Sequence, residues 1–187
     1  DYPLVHELRT LLPQHGWATL ALQMPLREVG ATREEYYALF DEALQRIGAA
    51  AQYLQQQKMQ RVVLIGHGLG AMMATYAMHR QPDTAQALVA ISLPLTARSE
   101  PQALIGDFIQ KLAVPFLDVY AEFDWPDVSD SARDRRLLAK DNALYRQVRL
   151  EGENHAYQVD PALLGKRVYS WLATVASHDD PKPPDRE

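Results

Sequence analysis

The stretch Arg61-Val62-Val63-Leu64-Ile65-Gly66-His67-Gly68-Leu69-Gly70-Ala71-Met72-Met73 constrains this chain more than any other. Its four consecutive apolar residues, Val62 to Ile65, read as a buried strand of a parallel sheet. Alternating glycines follow at once, and a helix-forming run begins with Ala71. A strand, a glycine turn and a helix in so few residues require a sharp backbone bend and a close approach. Two patterns compete for it. The turn G-x-S-x-G, which presents a nucleophile between strand and helix, fits with Gly68 where the serine would stand. The dinucleotide-binding fingerprint G-x-G-x-x-A is met letter for letter by Gly66, Gly68 and Ala71.

Size and composition narrow the choice only a little. A chain of 187 residues with 47% apolar and 23% charged residues is one globular domain on ordinary priors. Its net charge of −5 argues against an electrostatic grip on nucleic acid. No apolar run approaches the roughly eighteen residues that suggest a membrane span. Cysteine is absent, which excludes disulfides, thiol catalysis and cysteine-held metals. Residue 1 is Asp rather than Met, so an upstream portion is expected, and the compartment stays open, export included.

Helical and strand patterns alternate along the chain. Leu4, Val5, Leu8, Leu11 and Leu12 share a helix face that ends near Pro13 to Gly16. Trp17 to Met24 predicts a strand stopped by Pro25. Thr32 and Glu35 form a capping box ahead of a long amphipathic helix carrying Tyr36, Phe40, Ala43, Ile47, Ala50 and Leu54. After the glycine turn come a helix to about Arg80 and a strand over Ala87 to Leu93. Thr96 to Ala113 reads as a short insertion over the sheet edge. A strand over Pro115 to Ala121, a charged helix over Ser129 to Asp141 and a strand over Tyr145 to Leu150 follow. A last helix runs from Pro161 to Val175, so residues 1–176 form the domain, and 177–187 read as a disordered, Pro-rich tail. This alternation predicts a mostly parallel α/β sheet flanked by helices in three layers.

The order of the downstream residues separates the two patterns. A dinucleotide fingerprint normally closes the first strand of its domain, with an acid near the end of the next strand. Here the turn comes later, and the next strand ends in Ile91-Ser92-Leu93-Pro94 without a carboxylate. The segments IGHGLGAMMATYA, VPFLDVYAEFDWPDV and VRLEGENHAY instead resemble the elbow, the acid loop and the histidine loop of the α/β-hydrolase superfamily. The elbow differs from the family's common G-H-S-L-G-A at one letter. Within that superfamily the chain is most similar to a bacterial group with glycine at this position. The likeness runs from the first helix to the last. It implies the order nucleophile, acid, histidine: Gly68 at the nucleophile position, Asp124 as acid and His155 as base, with Asp127 the alternative acid. The Leu69 N–H would be an oxyanion donor. A second donor, and a strand between Trp17–Met24 and Val62–Ile65, would lie upstream of Asp1, so these residues would need an N-terminal portion to complete their sheet.

Glycine has no atom with which to attack a carbonyl, so ordinary serine esterase chemistry is excluded for this sequence. It also adopts the strained angles of such a turn without the cost of about 1–3 kcal/mol that a residue with Cβ incurs. The leading expectation is a pseudo-hydrolase that binds a small molecule or a protein partner. The alternatives are a hydrolase using water activated by His155 and Asp124, with Ser92 as a weaker substitute nucleophile, and a dinucleotide-binding oxidoreductase. No cofactor is expected. His6, His15, His79 and His178 show no metal-ligand spacing, His67 reads as a packing residue, and Tyr76 and Trp125 are candidate pocket residues.

Overall fold

A computed structural model describes residues 3–59, 61–96 and 100–178. Four strands, β1 (Val63–His67), β2 (Ala87–Ile91), β3 (Phe116–Phe123) and β4 (Tyr145–Asn154), pair in parallel in that order. Helices α1 (Pro3–Leu11), α2 (Arg33–Tyr36) and α3 (Phe40–Gln56) precede them. Parallel neighbours need a crossover, and here it is made by α4 (Leu69–Arg80), then α5 (Ile105–Lys111), then the pair α6 (Pro126–Ser129) and α7 (Ala132–Leu138). The last helix, α8 (Pro161–His178), follows β4.

Alternation along the strands builds two cores. Leu88, Ala90 and Phe116 face Phe40, Met72, Met73, Tyr76, Ile105 and Phe108. Ala87, Val89, Ile91, Leu117 and Val119 face Leu4, Leu8 and Leu12 together with Leu164, Val168 and Leu172. The side-chain period of two thus gives each face of the sheet its own helical layer. β2 is buried at every position, which explains why its sequence is an unbroken apolar run.

Several expected elements take a different form. Trp17 to Met24 is not a strand, because the described residues place no strand beside it to pair with its backbone. It runs as an irregular segment whose ends pack into different cores, Trp17 with one and Met24 with the other. The long helix expected from Tyr36 is interrupted by a 3-10 turn at Tyr37–Leu39, although Glu35 does cap Thr32, accepting its backbone N–H at 2.7 Å. The Thr96–Ala113 region is more than an edge insertion, since Ile105, Phe108 and Ile109 are core residues. The charged helix over Ser129 to Asp141 is two short ones. Of the expected tail, Ser177 and His178 end α8, and 179–187 lie outside the described residues.

The outer edge of β1 has no strand partner among the described residues, and its residues are only half-buried. An apolar, unpaired edge is a template for pairing with another chain. Residues 1–187 alone are therefore expected to associate as concentration rises. Size-exclusion chromatography with light scattering checks this; a concentration-independent monomer that melts cooperatively would contradict it.

Candidate functional site

The glycine turn sits at the C-terminal end of β1. Gly68 has φ 55° and ψ −117°, a strained conformation that residues with a Cβ adopt only rarely. Its N–H donates to Ile91 O at 2.9 Å, and its carbonyl accepts from Ala71 and Met72 N–H at 3.0 and 3.2 Å. The bend is thereby tied to the end of β2 and to the first turn of α4. Gly66 serves another purpose: a Cβ there would lie 2.6 Å from Gly70 C and 2.7 Å from Ala71 Cα, so β1 and α4 touch backbone to backbone. Gly70 has nothing within 4 Å of where its Cβ would be. Of the three alternating glycines, Gly66 is thus required by contact and Gly68 favoured by its backbone angles.

Asp124 and His155 arrive from the ends of the next strands. β3 ends at Phe123 after a register irregularity against β4, and β4 ends at Asn154, which leaves both residues at the C-terminal edge of the sheet beside Gly68. His155 Nδ1 meets Asp124 Oδ1 at 2.7 Å. The same oxygen accepts the Trp125 N–H at 2.9 Å, and Oδ2 accepts from Ser92 Oγ at 2.5 Å and Ala121 N–H at 3.1 Å. Burial pushes the Asp124 carboxyl upward, but the hydrogen bonds from His155, Ser92 and the two backbone amides outweigh it. The result is a carboxyl held below its ordinary value. The other edge of the imidazole faces the turn: a Cβ on residue 68 would lie 3.7 Å from His155 Cε1 and 3.8 Å from Nε2, ordinary contact distances.

Asp127, the alternative acid, is engaged elsewhere. Its carboxylate pairs with Arg33, and its carbonyl accepts the Leu95 N–H and the Ser131 hydroxyl. Trp125 does reach the site, stacking on His155 with ring centroids 3.8 Å apart and planes 11° apart, while 50% of it stays exposed. The Arg33 guanidinium lies 5.7 Å above the indole. Tyr76 lies in the core, donating to Asp41 at 2.5 Å, and lines no part of this site. Ser92 is fully buried with its hydroxyl committed to Asp124, which removes it as a substitute nucleophile.

His67 does more than pack. Its Nε2–H donates to the His155 carbonyl at 3.1 Å, and the two rings lie 4.6 Å apart. Burial, then the neighbouring His155, lowers its pKa to about 4. The unfolded chain, titrating near 6.5, therefore takes up a proton first as pH falls. The stability contributed by neutral His67 is complete above about pH 6.5 and is lost as pH falls toward 4. Between pH 7 and 4.5 this amounts to about 2 kcal/mol. Denaturant titrations at both pH values should show His67→Gln losing less than the wild type; equal losses would contradict it.

Sequence reasoning missed a buried network beneath the acid loop. Arg135 donates from Nε and Nη2 to Asp118 at 2.8 and 3.2 Å, and Tyr145 and Gln147 donate to the same carboxylate at 2.7 and 2.9 Å. Arg135 also donates to Val128 O at 2.7 Å. This fixes α6 and α7, and hence the chain after Asp124, against the sheet. A charged helix gave no sign that one arginine in it would be fully buried. Among the described residues, no group of three or more His, Cys, Asp or Glu could hold a metal, and no helix is long and apolar enough to cross a membrane.

A parallel sheet with a tight strand–turn–helix elbow, an Asp–His pair at its C-terminal edge and helices on both faces is the α/β-hydrolase architecture. Solved structures share it. Est1E from Butyrivibrio proteoclasticus, with ferulic acid bound, has a TM-score of 0.74 at 17% identity over 95% of this chain and 84% of its own. The esterase domain of a Rhodothermus marinus protein has a TM-score of 0.69 at 17% identity, covering 93% and 81%. A "predicted CIB-like hydrolase" from Thermoplasma acidophilum has a TM-score of 0.55 at 18% identity over 70% of this chain but only 60% of its own. At these identities the likeness concerns the fold. The chain itself belongs to the family described as "Protein of unknown function (DUF3530)", whose model matches residues 33–174. No curated protein sequence matches it.

Proposed function

We propose that this protein is an α/β-hydrolase-fold protein without serine catalysis, and that it binds a ligand or protein partner where Gly68, Asp124 and His155 meet. One observation carries the reading. The residue at the nucleophile position has no side chain, while His155 Nε2 lies 3.8 Å from where its Cβ would be, so that a serine hydroxyl there would come within reach of the ring. No acyl-enzyme can form at Gly68. What remains are the His155 ring nitrogen, the half-exposed Trp125 indole stacked on that ring and the Leu69 N–H at the start of α4. Such a set of groups suits a small molecule carrying a carbonyl or carboxylate, its oxygen toward Leu69. Ferulic acid, bound to the Butyrivibrio protein Est1E, is a probe of that class. The open edge of β1 is read as the seat of one further strand supplied from outside residues 1–187.

A second reading keeps catalysis, with His155 taking a proton from water and Asp124 stabilising the imidazolium. The short His155–Asp124 contact favours it, since binding alone does not need an oriented base. A dinucleotide cofactor finds no support, because the residue at the end of β2 is Ser92, buried against Asp124.

The test is hydrolysis of an activated ester by the wild type, Gly68→Ser and His155→Ala. The binding reading expects a silent wild type and an active serine variant. Wild-type turnover that disappears in His155→Ala would replace it with the second reading.

A further inference from the structure

Behind the Asp124–His155 pair lie two hydroxyls that the proposed function leaves without a role. Ser92, just after β2, and Tyr157, two residues beyond His155, are both buried, at 0% and 2% exposure. Tyr157 Oη lies 2.8 Å from Ser92 Oγ, which donates to Asp124 Oδ2 at 2.5 Å, and Tyr157 Oη is itself 3.4 Å from that oxygen. Both residues have left-handed backbones, with φ 51° and 52°, which non-glycine residues adopt rarely. Two separate loops therefore take up an unfavourable conformation and bring a buried hydroxyl toward one carboxylate oxygen. Apolar side chains would fill this space without burying polar groups.

We propose that Ser92 and Tyr157 are positioning residues for the Asp124–His155 pair. They form a buried hydroxyl chain, Tyr157 to Ser92 to Asp124 Oδ2, that keeps the carboxylate charged and turned so that Oδ1 meets His155 Nδ1. The inference rests on the reading of Gly68, Asp124 and His155 as the site. Its consequence is that the imidazole stays in one tautomer, with Nε2 open toward residue 68, although no serine stands there to hold it. The loop carrying His155 is pinned independently. The Glu153 carboxylate accepts the Val159 and Asp160 N–H groups at 3.3 and 2.5 Å, and the Tyr157 N–H donates to Asn154 O at 3.0 Å. Loss of the hydroxyls should therefore act on the carboxylate and leave the loop in place.

The groups that face the pair are few. His67 comes from β1, Ser92 from the end of β2, Trp125 from the start of α6 and Tyr157 from the loop after β4. Arg33 and Asp127 pair with each other on the indole side, and Asp118 of β3 acts on Tyr157. Removing a donor to the charged form raises the apparent pKa of the carboxylate, by about one unit for a charge-assisted bond.

The test is a ¹⁵N NMR titration of the His155 ring in the wild type, Ser92→Ala, Tyr157→Phe and the double variant. Ser92→Ala should move the acid transition sensed at His155 upward by about one unit, a tenfold change in proton affinity. Tyr157→Phe should move it in the same direction by less. The double variant should depart from the sum, because both hydroxyls act on one oxygen. Unmoved His155 titrations with a lowered melting temperature would overturn the proposal and leave the hydroxyls a packing role. If Ser92→Ala does not fold, Tyr157→Phe carries the test alone, since it removes a single oxygen. The titration is independent of turnover: a silent Gly68→Ser would sink the functional reading and leave these shifts standing, whereas unmoved shifts beside an active Gly68→Ser would do the reverse.

Discussion

Gly68→Ser is expected to give this protein esterase activity about 10³-fold above the wild type, read as hydrolysis of an activated ester. The estimate has two parts. Losing the serine of a serine hydrolase costs on the order of 10⁶ in turnover, and restoring it should return much of that where the base is already placed. A Cβ at residue 68 lies at contact distance from the His155 ring, so an Oγ one bond further on comes within hydrogen-bond reach of Nε2. Against this, the described residues offer one oxyanion donor, the Leu69 N–H, and lack of a second costs about 10²–10³. Serine must also take up φ 55° and ψ −117°, which should lower stability by about 1–3 kcal/mol. A folded Gly68→Ser that stays silent would mean that His155 and Asp124 are not poised for chemistry. Activity that survives addition of His155→Ala would mean that it arises elsewhere.

What could be read from the sequence follows from which forces are local. The β1–turn–α4 unit was legible because its apolar run and glycines report contacts between residues close in the chain. The parallel order followed from alternating helix and strand. Asp124 and His155 were legible only as a pair placed after particular strands, since neither is unusual alone. The choice between Asp124 and Asp127 was not available, because it depends on which carboxylate the β3 bulge turns toward β4. Trp17 to Met24 misled for a related reason: its alternation suits a strand, but a strand exists only where another backbone lies alongside. Ser92, Tyr157 and Arg135 stayed hidden because their partners are distant in sequence, 32 residues away for Ser92 and Asp124 and 17 for Arg135 and Asp118. Even the expectation of Ser92 as a nucleophile was chemically reasonable. Burial, which no local pattern announces, assigns its hydroxyl to the carboxylate instead.

Gly66→Ala should be the most damaging single methyl addition in the turn, while Gly70→Ala should be harmless or better. The two residues occupy equivalent letters in the motif, yet their surroundings are opposite. At Gly66 the new Cβ would sit 2.6–2.7 Å from backbone atoms of Gly70 and Ala71. Main chain at the start of a buried helix cannot rotate away as a flexible side chain can. Either α4 moves off β1, opening contacts of Met72 and Met73 in the core, or the elbow distorts and Gly68 leaves its place beside His155. Overpacking a well-filled core costs about 1–3 kcal/mol where side chains can adjust. Backbone against backbone should cost more, about 4 kcal/mol, which is a large share of a typical domain's stability. For a chain of this size that corresponds to a fall in melting temperature of roughly 10 °C or more. Gly70 lies inside α4 with open space where its Cβ would go, so alanine there should stabilise the helix by up to about 1 kcal/mol. Thermal melts of the two variants side by side make the comparison internal. Equal melting temperatures would mean that β1 and α4 are not in the contact described, and with it would go the placement of Gly68 on which the proposed site depends.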